Sequence, residues 1–293
     1  MIEISGSESS MPAGDARRNN AWVQLRRNPA AMAGAIILVI MAVTALFAPY
    51  LATDPTNMSP VDRLQPPSAQ WWFGTDMYGR DIYSRTLHGS RISLAVGASV
   101  AILSIAIGLA IGLIAGYIRV LDAIILRFMD GLMAIPDILL AIALIALTGA
   151  SLTTIIIAIT IPEIPRVVRL VRGVVLSVRE EPYVEAAISV GTRLPLILIR
   201  HVLPNTIAPL IVLATYNCAS AIIIEAILSF LGAGVPPEIP SWGNVMAEGR
   251  IYFQRAPWII LFPGLYLALT VLAVNILGDG LRDTLDPRIA KRM

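Results

Sequence analysis

Long apolar runs alternate with short polar connections along most of this chain. A bilayer core is about 30 Å thick and takes about 20 residues of apolar helix to cross. Against that ruler, residues 30–48, 92–117, 124–147, 206–230 and 258–277 predict five spanning helices. A sixth run, residues 151–165, is short and continues into Arg166, Arg169 and Arg172, with Val167, Val168, Leu170 and Val171 between them. That pattern predicts a helix leaving the membrane with an arginine stripe on one face; a re-entrant segment is the alternative. Residues 1–28 are polar, carry Gly, Ser and Asn, and end in Arg26 and Arg27, which predicts a loose tail. The first apolar run, about 19 residues, exceeds the 7–15 of a signal peptide and is expected to remain as an anchor.

Composition agrees with the pattern. Of 293 residues, 56% are apolar and 14% charged, against about 25% charged in a soluble domain. A mean hydropathy of +0.74 excludes an ordinary soluble enzyme, a disordered regulator and a nucleic-acid-binding domain. The net charge of +2 points to no polyanionic partner. Twenty-one of the 22 basic residues are Arg; the single Lys, Lys291, is followed by Arg292 near the chain end. A Walker A loop needs Lys followed by Ser or Thr, so this chain carries no such ATPase site. Cys218 is the only cysteine and excludes an intrachain disulfide. With His88 and His201 as the only histidines, no Cys/His zinc site is expected. Cys218 lies in an apolar run and reads as a packing residue.

Charge orients the spans. With six crossings and the N-terminus inside, the inner segments hold 16 Arg and Lys and the outer loops 6, including Arg63, Arg91, Arg250 and Arg255. That asymmetry predicts both termini in the cytoplasm and an even number of crossings. On the second run, Ser104, Gly108, Gly112 and Gly116 recur every four residues. Small residues so spaced let two helices approach closely, either within this chain or at a subunit seam.

The strongest local signal is residues 182–205, PYVEAAISVGTRLPLILIRHVLPN, in a cytoplasmic loop of about 40 residues, where most connections are a few residues long. Residues 183–190 favour helix and Gly191 can end it in the left-handed conformation. Thr192 is a candidate cap for a second helix, with Pro195 in its first turn. Leu194 and residues 196–199 are too apolar to face water unaided and need the membrane, the bundle or another protein. Glu180, Glu181, Glu185, Arg193 and Arg200 give such a docking surface charge.

Glu185, Ala186 and Ala187, then Gly191, then His201, Leu203 and Pro204 resemble the EAA loop of bacterial ABC importer permeases. His201 stands where the general motif has an aliphatic residue, and an HxLPN ending is familiar in the peptide-importer branch. Residues 73–94 (FGTDMYGRDIYSRTLHGSRISL), 229–250 (SFLGAGVPPEIPSWGNVMAEGR) and 275–288 (NILGDGLRDTLDPR) point to the same branch. Over about residues 28–290 the chain is similar to the second permease subunit of dipeptide, oligopeptide and nickel importers, the DppC/OppC type. The resemblance implies an all-α membrane protein of six transmembrane helices with the type I ABC importer permease fold. It implies a cytoplasmic tail at 1–28, a first helix and periplasmic loop at 29–91, a five-helix core at 92–278 with the EAA coupling loop at about 166–205, and a cytoplasmic tail at 279–293. It further implies ATP and magnesium on two separate ATPase subunits, a second homologous permease, an external substrate-binding protein, and no catalytic site, metal or cofactor in this chain. The location implied is the bacterial inner membrane.

Other residues carry plainer readings. Thr75 and Asp76 are candidate caps for a helix outside the membrane, and with Arg80, Asp81 and Trp242 they are candidates for contact with a delivery protein; the other reading of this turn is a loop brace. Gly232, Gly234, Pro236, Pro237 and Pro240 break the chain after the fifth run, as a lip over the external mouth or a rigid return. Trp242 suits a membrane interface. Residues 278–288 read as a helix end and a cytoplasmic stop. Ionisable groups at membrane depth are costly and need partners. Glu225 either faces a pathway or bonds neighbouring helices; Tyr216 and Asn217 are candidate path-lining positions. Arg127 can pair with Asp130 three residues on, and Glu163 with a nearby Arg.

The function these features support is a permease forming half of an importer's translocation pathway, for a dipeptide, oligopeptide or related small solute. The rivals are an ATP-independent secondary transporter or channel, for which no internal repeat is visible, and a scaffold or receptor subunit without transport.

Overall fold

A computed structural model describes residue 26 and residues 28–285. Arg17, Arg18, Arg27, Arg288, Lys291 and Arg292, with most of both expected tails, lie outside the described residues. No named strand occurs among those described; Thr75 and Asp81 form one isolated bridge.

Helix α1 (Pro29–Leu46) starts at Asn28, whose side chain accepts from the Ala30 and Ala31 amides, and is followed by the short α2 (Ala48–Leu51). An extended segment with one 3-10 turn, Pro60–Asp62, leads to α3 (Ile82–Tyr117). That helix begins well before residue 92, because Asp81 accepts from the Tyr83 and Ser84 amides and starts it in the polar stretch.

The run at 124–147, expected as one span, is two helices: α4 (Arg119–Met133) and α5 (Asp137–Thr148), bent by 88°. Pro136 explains the break. It cannot donate to the helix, and it pushes Ile135 out of the helical region. The short sixth run belongs to α6 (Leu152–Arg179), one helix that continues through Pro162, Pro165 and the arginine stripe.

Helix α7 (Pro182–Ser189) and α8 (Leu194–Ile197) follow, then a π turn, Leu198–Val202, that merges into α9 (Leu203–Phe230). After the Gly- and Pro-rich segment come α10 (Trp242–Gly249), a 3-10 turn and α11 (Trp258–Leu285). Helix α11 runs through Gly278 and Gly280 to Leu285, within the stretch read as a helix end, whose residues 286–288 lie outside those described. Both glycines are packing positions: a Cβ at Gly278 would meet Thr215 of α9, and one at Gly280 would meet Ala31 of α1.

Among the described residues, four helical stretches are long and apolar enough to cross a membrane: α1, α3, the joined 194–230 stretch and α11; the bent pair makes a fifth. Expectation put six there. Helix α6 is the difference: its charged second half lies outside the set that length and composition identify.

The small-residue stripe settles how the core is built. A Cβ at Gly108, Gly112 or Gly116 would lie 2.4, 2.7 or 2.6 Å from Val167, Val171 or Val175 of α6. Three valines therefore sit directly over three glycines, and the stripe is an intrachain contact. Those valines continue into a buried cluster with Val178, Val184, Ile197, Val202 and Leu210. A second cluster, at the other end of α6, joins Val96, Val100, Ile155, Ile159, Ala221 and Leu228.

Candidate functional site: the EAA loop, an ion-pair clamp and a charged strip

The EAA element stands off the end of α6. Glu185, Ala186 and Gly191 are exposed, and Ala187 is half-buried. Gly191 has φ +78° with nothing within 4 Å of a Cβ, so backbone conformation and not space demands glycine there. The element is held by two apolar anchors, Val184 and Ile197, both buried. The cap expected of Thr192 falls to Arg193, whose side chain makes no capping bond, because the helix starts one residue later at Leu194. Pro195 does sit in that first turn. Ile188, Val190, Leu196 and Ile199 remain exposed. His201 stacks loosely on Tyr183 at 5.7 Å between ring centres, and its carbonyl accepts from the Asn205 side chain at 2.6 Å. Leu203 is half-buried and Pro204 exposed.

On the far side of the bundle, the residues put forward for external contact are mostly internal. Thr75, Asp76, Arg80 and Trp242 are buried, and Asp81 is half-buried. Neither Thr75 nor Asp76 caps α3. The Thr75 hydroxyl donates to the Asp62 carbonyl at 2.5 Å and accepts from the Gln65 amide at 2.8 Å. The Asp76 carboxylate accepts from the Tyr78 and Arg80 amides, from Arg80 Nε at 2.5 Å and from Arg85 Nη1 at 2.8 Å. Arg85 also reaches Glu248 of α10 at 2.5 and 3.0 Å, and Arg80 reaches the same carboxylate. Two arginines and two carboxylates thus clamp the turn before α3 onto α10. Thr75, Asp76 and Arg80 direct their side-chain groups into this brace, in which Arg85 Nε alone has no hydrogen-bond partner among the described residues.

Trp242 is fully buried, not interfacial, and its indole donates to the Thr86 carbonyl at 3.1 Å. Asn244, which the sequence reading passed over, donates to the carbonyls of Val235, Pro236 and Ile239 at 2.9–3.2 Å and pins the Pro-rich lip. Its only sequence signal was its place three residues after Ser241, the cap of α10.

At membrane depth, Glu225 is fully buried and accepts from Ser93 of α3 at 3.1 Å and from Ser229 at 2.8 Å. Asn217, also buried, donates to Ser104 of α3 at 2.9 Å. Both tie α9 to α3. Tyr216 is different: it is half exposed, with the Arg166 guanidinium 5.7 Å from its ring centre.

Arg166 belongs to a charged strip. It binds Glu163 at 2.9 Å and Asp137 at 3.0 Å. Arg169 pairs with Asp130 at 2.5 Å, and Arg172 with Asp122 at 2.5 and 2.7 Å. Asp130 therefore bonds across to α6 and not to Arg127 on its own helix. The arginines at 166, 169 and 172 share one face of α6, and the chain of α4 and α5 runs antiparallel beside them, which sets Asp137, Asp130 and Asp122 in matching order. The serine hydroxyl of Ser220, on α9, donates to Glu163 at 3.2 Å.

Residues 104–291 match the family described as the binding-protein-dependent transport system inner membrane component, and residues 18–67 match the N-terminal TM domain of oligopeptide transport permease C. The chain belongs to the binding-protein-dependent permease family. Over 267 residues this permease is 57% identical to a probable peptide ABC transporter permease protein of Sinorhizobium fredii, covering 91% of this chain and 92% of that one. It is 45% identical over 271 residues to the dipeptide transport system permease protein DppC of Alkalihalophilus pseudofirmus, covering 92% and 89%. To the glutathione transport system permease protein GsiD of Escherichia coli O6:K15:H31 it is 44% identical over 271 residues, with the same coverage. Among solved structures, a chain of the inward-facing MetNI methionine ABC transporter superposes with a TM-score of 0.57 at 19% identity, covering 69% of this permease and 96% of that chain. That likeness shows the fold, the type I ABC importer permease fold expected from the EAA motif.

Proposed function

We propose that this permease forms one half of the translocation pathway of an ATP-driven importer for a small peptide or related solute. Hydrolysis belongs to two separate ATPase subunits that carry ATP and magnesium, a second homologous permease supplies the other half, and an external binding protein delivers the cargo. The observation that carries the reading is the exposed EAA element, fixed to the bundle by Val184 and Ile197 and continuous with α6 on one side and α9 on the other. A partner that pushes on Glu185 and Ala186 moves both long helices, which is what coupling of ATP hydrolysis to access requires. The names borne by the relatives support peptide as the cargo class. In this reading α6 completes a sixth crossing and both termini face the cytoplasm, which the arginine distribution supports.

The test is a pull-down of the chain tagged at its C-terminus and solubilised in mild detergent. A second permease and two ATPases bearing Walker A loops are expected. A stable homo-oligomer without ATPases would overturn the importer reading in favour of a secondary transporter. In the same assay, Glu185→Ala with Gly191→Val is expected to lose the ATPases while the chain stays folded; full recovery would remove the coupling role from this loop.

A further inference from the structure

We propose that the charged strip of α6, with its carboxylate partners on α4 and α5 and with Tyr216 on α9, lines the water-filled path through the membrane in the half nearer the EAA loop. The inference rests on the permease reading, and it specifies which face of this chain meets the solute.

Helix α6 has two faces of opposite character. Val167, Val168, Val171 and Val175 are fully buried against the glycines of α3 and the apolar cluster around them. The arginines point away from that core. The side chains of Arg169 and Asp130 are 46% and 60% exposed, and those of Arg166 and Asp137 about one third. With α6 as the sixth crossing of the permease reading and Leu152 at the membrane boundary, a 1.5 Å rise per residue puts Arg166 about 21 Å and Arg169 about 26 Å along the helix, within a bilayer about 30 Å thick. Ionisable side chains at that depth do not face lipid; they face a bundle interior or water. In this chain they face outward, so water or a neighbouring subunit must meet them.

Two features favour water. Each arginine already has a carboxylate partner within the chain, so none needs one from a neighbour. The polar surface extends beyond one helix: Tyr216 of α9 lies beside Arg166. A path lined by paired charges is wet without carrying an unpaired charge that would trap a zwitterionic peptide, since conduction needs sites a solute can leave.

The test uses the assembled transporter. In a Cys218→Ala background, Arg169→Cys, Tyr216→Cys and Val39→Cys are made singly and treated in inverted vesicles with a charged, membrane-impermeant methanethiosulfonate. Val39 is 61% exposed in the middle of apolar α1 and serves as the lipid-facing reference. A thiol reacts as its thiolate, which forms in water, so Arg169→Cys and Tyr216→Cys should label about tenfold faster than Val39→Cys or more. Tyr216→Cys breaks no ion pair and guards against misfolding. Labelling of both at the Val39→Cys rate, in complexes that still contain the ATPases, would overturn the proposal and place the strip in a sealed subunit interface. Fast labelling in a chain that recruits no ATPases would keep the wet strip and remove the importer instead.

Discussion

Gly112 shows what a single atom decides in this protein. Its hydrogen leaves room for the Val171 side chain, which stands 2.7 Å from where a Cβ would be. Overpacking a tight contact costs about 1–3 kcal/mol, so Gly112→Leu should lower the thermal midpoint of the detergent-solubilised chain, read by fluorescence or by loss of monodisperse protein. Gly173 lies on the outward face of α6 with no neighbouring atom. Gly173→Ala should leave the midpoint unchanged or raise it, since Ala in a helix is favoured over Gly by about 1 kcal/mol. The four-residue spacing of Ser104, Gly108, Gly112 and Gly116 was legible in the sequence; its partner was not. Valines 167, 171 and 175 look like any apolar positions until α3 and α6 are laid together. Likewise Trp242 has the composition of an interfacial residue, and only the closure of α10 over α3 buries it.

Among elements, the turn before α3 and helix α10 are far apart in sequence and are joined by Asp76, Arg80, Arg85 and Glu248. The side chains of Arg85 and Asp76 are 2% and 1% exposed. Removing one partner of a buried ion pair costs about 3–5 kcal/mol, because the other charge stays buried. Arg85→Met should therefore destabilise the external face strongly, read as a lower thermal midpoint and faster proteolysis of residues 50–80. The double variant Arg85→Met with Glu248→Leu should recover part of the loss; no recovery would mean that Glu248 is not its main partner. The bend between α4 and α5 belongs to the same scale. Hydropathy reads residues 124–147 as one span, since it counts apolar residues and not backbone donors. Pro136 breaks the ladder, and the two helices are then free to follow the arginines of α6, one carboxylate at a time.

In the whole molecule, three surfaces of this chain stand open: the apolar helix faces, the charged strip and the EAA element. The first suits lipid, the second water and the third another protein. The chain produced without ATPases should turn over faster than the chain coproduced with them, measured by pulse-chase in membranes. Equal half-lives would mean that the loop needs no partner to persist.

Residue order alone determined the membrane class, the helical architecture and the EAA element with its left-handed Gly191. These follow from local quantities: apolar run length and a backbone conformation that only glycine adopts easily. Tertiary structure decided the rest. It set the glycine stripe against α6 and not against another subunit, turned Thr75, Asp76 and Arg80 inward, gave Asp130 to Arg169 in place of Arg127, and tied Glu225 to Ser93. Each of those is a choice among several chemically adequate partners, and only the relative placement of distant helices makes the choice.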